Sequence, residues 1–310
     1  MSTRFRGLVA APFTPFHSDR SLNLAVIPAY VRMLRENGVA AAFVCGTTGE
    51  SSSLTLAERQ SVAAAWTKAS DSRLPVIVHV GHTCLDDARI LARHAAEIGA
   101  TAIAALAPFF FKPRNSAELV DWVAAVASAA PQLPFYYYHI PSMTGVNLPV
   151  ADFLAAARDR IPNLAGVKFT FEDFPDYQAC VAADGGRYDI LFGRDELLLE
   201  GTQAGARGAV GSTYNYAAPV YLRMLAALSA GDQAKARALQ DAAVQMITIC
   251  AGVGVTHLAA SKALMPGTGI DCGPVRQPLA QPTPAQIATM QERLATIAYA
   301  GFACVPPTGT

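Results

Sequence analysis

From residue 7 to about residue 215 the chain alternates short apolar runs with amphipathic segments. Eight runs read as strands: GLVAAP (7–12), AAFVCG (41–46), PVIVHVG (75–81), AIAALAP (102–108), PFYYYH (134–139), LAGVKFTF (164–171), YDILFG (188–193) and GAVGS (208–212). Between them, sets such as Leu24, Ile27, Val31 and Leu34, or Leu119, Val123 and Val126, recur at three- and four-residue spacing. Each set gives a helix one apolar stripe, which must face a sheet. Thr55 with Glu58 three residues on predicts a capped helix start just after GTTGESSS. Strand and helix repeated eight times with short linkers predict a parallel sheet, and eight units close naturally into a (β/α)8 TIM barrel. A doubly wound sheet is the structural alternative.

After the eighth strand the pattern becomes helix only. Residues 1–218 are expected to form the barrel and 219–300 a C-terminal helical extension rather than a second catalytic domain. Within the extension Thr283, Pro284 and Gln286 signal a helix start, with Ile287, Met290, Leu294 and Ile297 as its stripe. Residues 301–310, ending VPPTGT, are expected to form a disordered tail.

Composition narrows the function. The 310 residues are 52% apolar and carry 24 basic and 24 acidic side chains, so a large core is available and the net charge is zero. No basic run offers a groove for nucleic acid or a contact for an anionic membrane, which favours a small-molecule role. The N-terminal apolar run is short and broken by prolines, unlike a signal peptide or a membrane span, so a cytoplasmic location is expected. Six cysteines without CxxC spacing suit reduced, packed thiols. His79, His82 and Cys84 lie close together but match no familiar metal-ligand spacing. Gly-x-Gly-x-x-Gly, P-loop and Gly-x-Ser-x-Gly elements are absent, which disfavours dinucleotide, nucleoside-triphosphate and serine-hydrolase chemistry.

In a barrel of this type chemistry sits at the C-terminal ends of the strands. There the sequence places Thr47 and Thr48, Tyr138, Lys168 and Thr170, Gly193, Asp195 and Glu196, and Gly211 and Ser212. Period-two alternation puts Val167 and Phe169 on one face of the sixth strand and Gly166, Lys168 and Thr170 on the other. The apolar face meets the helices, so Lys168 points into the barrel. Burial favours a neutral amine over an ammonium, which suits a Schiff-base nucleophile; an ion pair with an interior carboxylate is the competing reading. Tyr136 and Tyr138 share the inward face. Tyr138, nearer the rim, either relays a proton or packs with its hydroxyl hydrated. The glycine-bracketed turn GTTGE offers amides and hydroxyls to an anion such as a carboxylate, or is an ordinary strand–helix turn. Asp195 and Glu196 open a helix, where acids are stabilised whatever their role.

The motifs GTTGE, YYYHIPSMTGV, GVKFT, LFGRDE and GAVGSTYNY, in this order, resemble the pyruvate-dependent class I aldolases related to dihydrodipicolinate synthase, and within them the branch that cleaves sialic acid. The resemblance runs from about residue 7 to 220 and more loosely to GPVRQPL. It implies a TIM barrel with C-terminal helices, usually a homotetramer, that needs no metal or organic cofactor. Lys168 matches the Schiff-base lysine and Tyr138 the catalytic tyrosine; Thr47 and Thr48 match the pair that holds the substrate carboxylate. Thr170, Gly193, Asp195, Glu196, Gly211 and Ser212 fall at positions that contact the sugar chain. The implied reaction is cleavage of N-acetylneuraminate to N-acetylmannosamine and pyruvate. Another 2-keto sugar acid, aldol-cleaved or dehydrated, is the alternative, and a non-catalytic sugar-acid sensor is a further one. Two departures stand out. Met143 occupies the place of an arginine that anchors the dihydrodipicolinate synthase substrate, which argues against that activity. Phe110 stands where many relatives carry a second tyrosine that reaches a neighbouring subunit's site.

Overall fold

The computed structural model describes residues 4–308. All eight predicted strands are present: β1 (Gly7–Ala10), β2 (Ala41–Val44), β3 (Val76–His79), β4 (Ala102–Leu106), β5 (Phe135–His139), β6 (Leu164–Phe169), β7 (Asp189–Phe192) and β8 (Gly208–Gly211). Every pairing is parallel, and β8 returns to β1, so the sheet is a closed barrel in chain order. The doubly wound alternative is thereby excluded.

Alternation along the strands builds two apolar layers. Val9, Phe43, Ile77, Ala104, Tyr136, Leu191 and Val210 fill the interior. Leu8, Val44, Val78, Tyr137, Val167 and Phe169 pack outward against the helices. Gly166 is glycine because a Cβ there would lie 1.9 Å from the Asp189 carbonyl oxygen and 2.8 Å from the Tyr136 ring. The space it leaves lets Tyr136 lie across the barrel floor and donate from its hydroxyl to Asp189 Oδ2 at 2.9 Å.

Helices follow the sequence signals. Thr55 and Glu58 form the expected reciprocal cap at the start of helix Leu56–Ser70, and Thr283 with Gln286 does the same for helix Pro284–Thr296. The division drawn at residue 218 falls inside helix Tyr214–Ser229, where Ala217 leaves helical geometry two residues before Pro219. This helix and helix Gln233–Ala251 make the largest helix–helix contact of the molecule. The tail expected to be disordered is instead tied back as far as it is described. Phe302 and Cys304 are buried, Cys304 N–H donates to the Tyr216 carbonyl at 2.8 Å, and Val305 N–H donates to Asn37 Oδ1 at 2.9 Å. Residues 309–310 of that expectation lie outside the described residues.

The extension is also fastened to the barrel rim by charge. Glu50, last residue of GTTGE, is held in the left-handed region at φ 55° and is buried. Its Oε1 lies 2.7 Å from Lys262 Nζ at the end of helix His257–Lys262, and its Oε2 accepts from the Arg276 backbone N–H at 2.8 Å. The Arg276 guanidinium pairs with Glu58 at 2.6 Å. Both cations also lie over the Phe16 ring, at 4.2 and 4.5 Å from its centroid.

Candidate active site

Lys168 and Tyr138 are register partners across the β5–β6 pairing, so their side chains emerge side by side on the inner face. Lys168 is 5% exposed. Its Nζ sits 4.1 Å from the centroid of the Tyr138 ring and 4.3 Å from that of Phe43, and it forms no ion pair or hydrogen bond among the described residues. The ion pair that the competing reading needs is not formed: the buried carboxylate of Asp195 shares the cavity and feels the lysine charge, but it is not within contact distance of Nζ. The Tyr138 hydroxyl lies 3.3 Å from Thr47 Oγ1, which joins the phenol to the glycine-bracketed turn.

That turn is held from several sides. Cys45 enters it with φ 58°, an uncommon conformation for a residue with a side chain. Its carbonyl accepts a hydrogen bond at 2.9 Å from His79 Nδ1, and Thr14 Oγ1 donates to the Gly49 carbonyl at 2.7 Å. Behind His79, the buried Arg59 guanidinium donates to the carbonyls of His79 and Gly81. Burial, with the Arg59 charge beside it, holds His79 well below the usual histidine range, so it is a neutral donor. His79 is thus a strut within the barrel, while His82 Nδ1 accepts from the Cys84 backbone N–H. Among the described residues no group of three His, Cys, Asp or Glu side chains is placed to hold a metal ion.

The opposite wall comes from β6, β7 and β8. Thr170 presents a buried hydroxyl with no hydrogen-bond partner among the described residues. It can approach β7 because residue 193 is glycine; a Cβ there would lie 2.0 Å from Thr170 Oγ1. Asp195 is buried and accepts from Thr213 through both N–H (2.9 Å) and Oγ1–H (2.7 Å). Gly211 makes this approach possible, since a Cβ there would lie 1.9 Å from Asp195 Oδ1. Burial pushes the Asp195 carboxyl up to about 6, against the pull of the Thr213 hydrogen bonds. Glu196 faces the mouth and shares Arg194 Nη2 with Glu172, each at 2.6 Å.

All ten residues singled out in the sequence, Thr47, Thr48, Tyr138, Lys168, Thr170, Gly193, Asp195, Glu196, Gly211 and Ser212, line one cavity of about 380 Å³. Sequence reasoning missed part of its wall. Arg194, Ser142 and, from the extension, Ile247, Ala251 and His257 also face it. The extension residues carry no local signal, because only the packing of the helices onto the rim brings them there. His139, next to Tyr138, points the other way among the rings of Tyr137, Phe169 and Phe171, and burial pushes it down to about 4. Met143 lines the mouth and is 60% exposed; Phe110 stands outside the cavity, 75% exposed.

Fold and site together define a (β/α)8 barrel with a polar cavity at its C-terminal rim and a buried, carboxylate-free lysine in it. The chain belongs to the dihydrodipicolinate synthetase family, whose sequence profile matches residues 4–297. It is 42% identical to the N-acetylneuraminate lyase of Rattus norvegicus over 304 residues, which cover 96% of this chain and 94% of that one. Among solved structures it is similar to Proteus mirabilis N-acetylneuraminate lyase, with a TM-score of 0.92 and 40% identity, covering 97% of this chain and 100% of that one. A catalytic lysine mutant of Ruminococcus gnavus sialic acid aldolase aligns with a TM-score of 0.90 and 28% identity, covering 96% of each chain.

Proposed function

We propose that this protein is a class I aldolase that cleaves N-acetylneuraminate to N-acetylmannosamine and pyruvate through a Schiff base on Lys168. The observation that carries the reading is the state of that lysine: buried, register-paired with Tyr138, and without a carboxylate partner. The relatives named as N-acetylneuraminate lyases support the choice of substrate.

In this mechanism the substrate carboxylate rests on the hydroxyls and amides of Thr47 and Thr48. The Lys168 amine attacks the C2 ketone of the open-chain acid, and the Tyr138 hydroxyl gives its proton to the carbinolamine oxygen, which leaves as water and gives a protonated imine. The Tyr138 phenolate so formed, linked to Thr47 Oγ1, becomes a phenol again by taking the proton from the C4 hydroxyl. Its electrons form the C4 carbonyl as the C3–C4 bond breaks, and those of that bond pass into the imine, giving an enamine and free N-acetylmannosamine. Protonation at C3 and hydrolysis release pyruvate and regenerate the amine. Thr170, Gly193, Asp195, Glu196, Gly211 and Ser212 meet the hydroxylated chain. Asp195 meets the chain with its carboxylate already oriented by Thr213, which donates twice to Oδ2.

A homotetrameric, cytoplasmic enzyme is part of the same proposal. Phe110 and Phe111, 75% and 86% exposed and packed edge to face on each other, are an apolar pair that a second subunit would cover. Free cysteines, five of them buried, fit a reducing compartment. Among the described residues no helix is long and apolar enough to cross a membrane.

Borohydride reduction in the presence of pyruvate tests the chemistry. A three-carbon adduct is expected on Lys168 and on no other lysine; an active protein that stays unlabelled overturns the Schiff-base reading. A coupled assay for pyruvate release, run on N-acetylneuraminate against other 2-keto acids, tests the substrate.

A further inference from the structure

We propose that His257, carried to the cavity by the appended helices, selects long-chain sugar acids by hydrogen-bonding the hydroxylated end of the substrate farthest from the ketone. This assignment rests on the reading of the site as one for a 2-keto sugar acid. It concerns the wall of the cavity that the strand-end motifs do not supply.

His257 opens helix His257–Lys262, and the other end of that helix is Lys262, locked 2.7 Å from Glu50 of the glycine-bracketed turn. The imidazole is therefore held in fixed relation to the place where the substrate carboxylate rests. Its Nε2 lies 3.2 Å from Ser261 Oγ, which lies 2.9 Å from the hydroxyl of the fully buried Tyr216. This chain of hydrogen bonds engages Nε2 and leaves Nδ1 to hydrogen-bond a hydroxyl, which can either donate or accept. Nδ1 has no partner among the described residues, and the side chain lines the cavity. Burial lowers the affinity of the ring for a second proton, although Glu196 near by opposes this. The result is a fixed imidazole nitrogen on the same wall as the Glu196 carboxylate, a pairing that recognises hydroxyls rather than an anion.

Position says which hydroxyls. The acid and ketone ends are held on β2 and β6, so the rest of a long chain must cross the cavity toward Ile247, Ala251 and His257. A short chain ends before that wall. His257 is thus a specificity-determining residue: it touches the non-reacting end of the substrate and leaves imine formation alone.

The test runs the reaction toward synthesis, with pyruvate and either N-acetylmannosamine, whose aldose chain has six carbons, or erythrose, which has four. In His257→Ala the ratio of kcat/KM for the six-carbon over the four-carbon aldehyde is expected to fall about five- to tenfold, the effect of one lost hydrogen bond. His257→Asn, which keeps a donor, is expected to recover part of that ratio. The KM for pyruvate should not change in either variant. An unchanged ratio, or an equal loss on both aldehydes with a raised pyruvate KM, overturns the assignment and points to a purely structural histidine. A wild-type protein that is trapped by pyruvate yet condenses no six-carbon aldose overturns the substrate reading, and this assignment with it.

Discussion

Two lysines are buried in this molecule, and they are held in opposite ways. Lys262, 2% exposed, meets Glu50 at 2.7 Å, and the second oxygen of that carboxylate is taken by the Arg276 N–H. Its charge is matched and its neighbours are saturated. Lys168, 5% exposed, lies against the faces of Tyr138 and Phe43 and has no carboxylate oxygen within ion-pair distance among the described residues. The paired lysine joins the helical extension to the rim; the unpaired one, in the proposed mechanism, keeps its nitrogen open to a carbonyl. Burial alone therefore does not separate a structural lysine from a chemical one, and the partner does.

The largest effect that would break this contrast is on catalysis. Replacing Lys168 by Met should lower the rate of N-acetylneuraminate cleavage by about 10⁴ or more, as loss of a covalent nucleophile does, while the unfolding free energy stays the same or rises. Steady-state rates and urea unfolding measured on the same variant check both halves. Lys262→Met should do the reverse. It leaves Glu50 buried without its cation, at a cost of about 3–5 kcal/mol in stability, and Glu50→Gln added to it should recover much of that loss. Equal destabilisation by the two Lys→Met changes would erase the distinction drawn here.

The sequence made one of these lysines readable and hid the other, for a physical reason. Lys168 stands in a strand, where period two decides direction, so its neighbours Val167 and Phe169 turn it inward without any tertiary information. Tyr136, Tyr137 and Tyr138 are sorted the same way. The pair of Lys262 and Glu50 spans 212 positions, and nothing local links a lysine in a short helix to an acid in a distant turn. His257 and Ile247 escaped notice for the same cause. Strand ends were drawn too long: GLVAAP reads as strand to Pro12, whereas β1 ends at Ala10, and Pro12 has no N–H to extend the ladder. The tail shows a third limit. Its prolines and threonines suggest disorder, but Cys304 N–H donates to the Tyr216 carbonyl beside the kink of helix Tyr214–Ser229.

Asp195 is the intermediate case, a buried carboxyl whose hydrogen-bond donors are neutral and whose nearest cation, Lys168, is not in contact with it, and it offers the finest test of the comparison. Thr213 gives it two hydrogen bonds but no countercharge, and burial pushes its carboxyl up to about 6. In the unfolded chain an aspartate titrates near 3.9. Between those values the folded protein holds the proton more tightly. The stability linked to this group is thus fully present below about pH 4 and is lost as pH rises through about 6. The difference amounts to at most about 3 kcal/mol, given about 1.4 kcal/mol per unit. In Asp195→Asn the titration is gone while an acceptor for Thr213 remains. The unfolding free energy of the native protein, relative to this variant, should therefore fall by up to that amount between pH 4 and 7 in urea titrations. A difference that stays flat across the range would mean that hydroxyl and amide donors stabilise a buried carboxylate as well as an ammonium does, and that the partner rule separating Lys168 from Lys262 does not extend to acids.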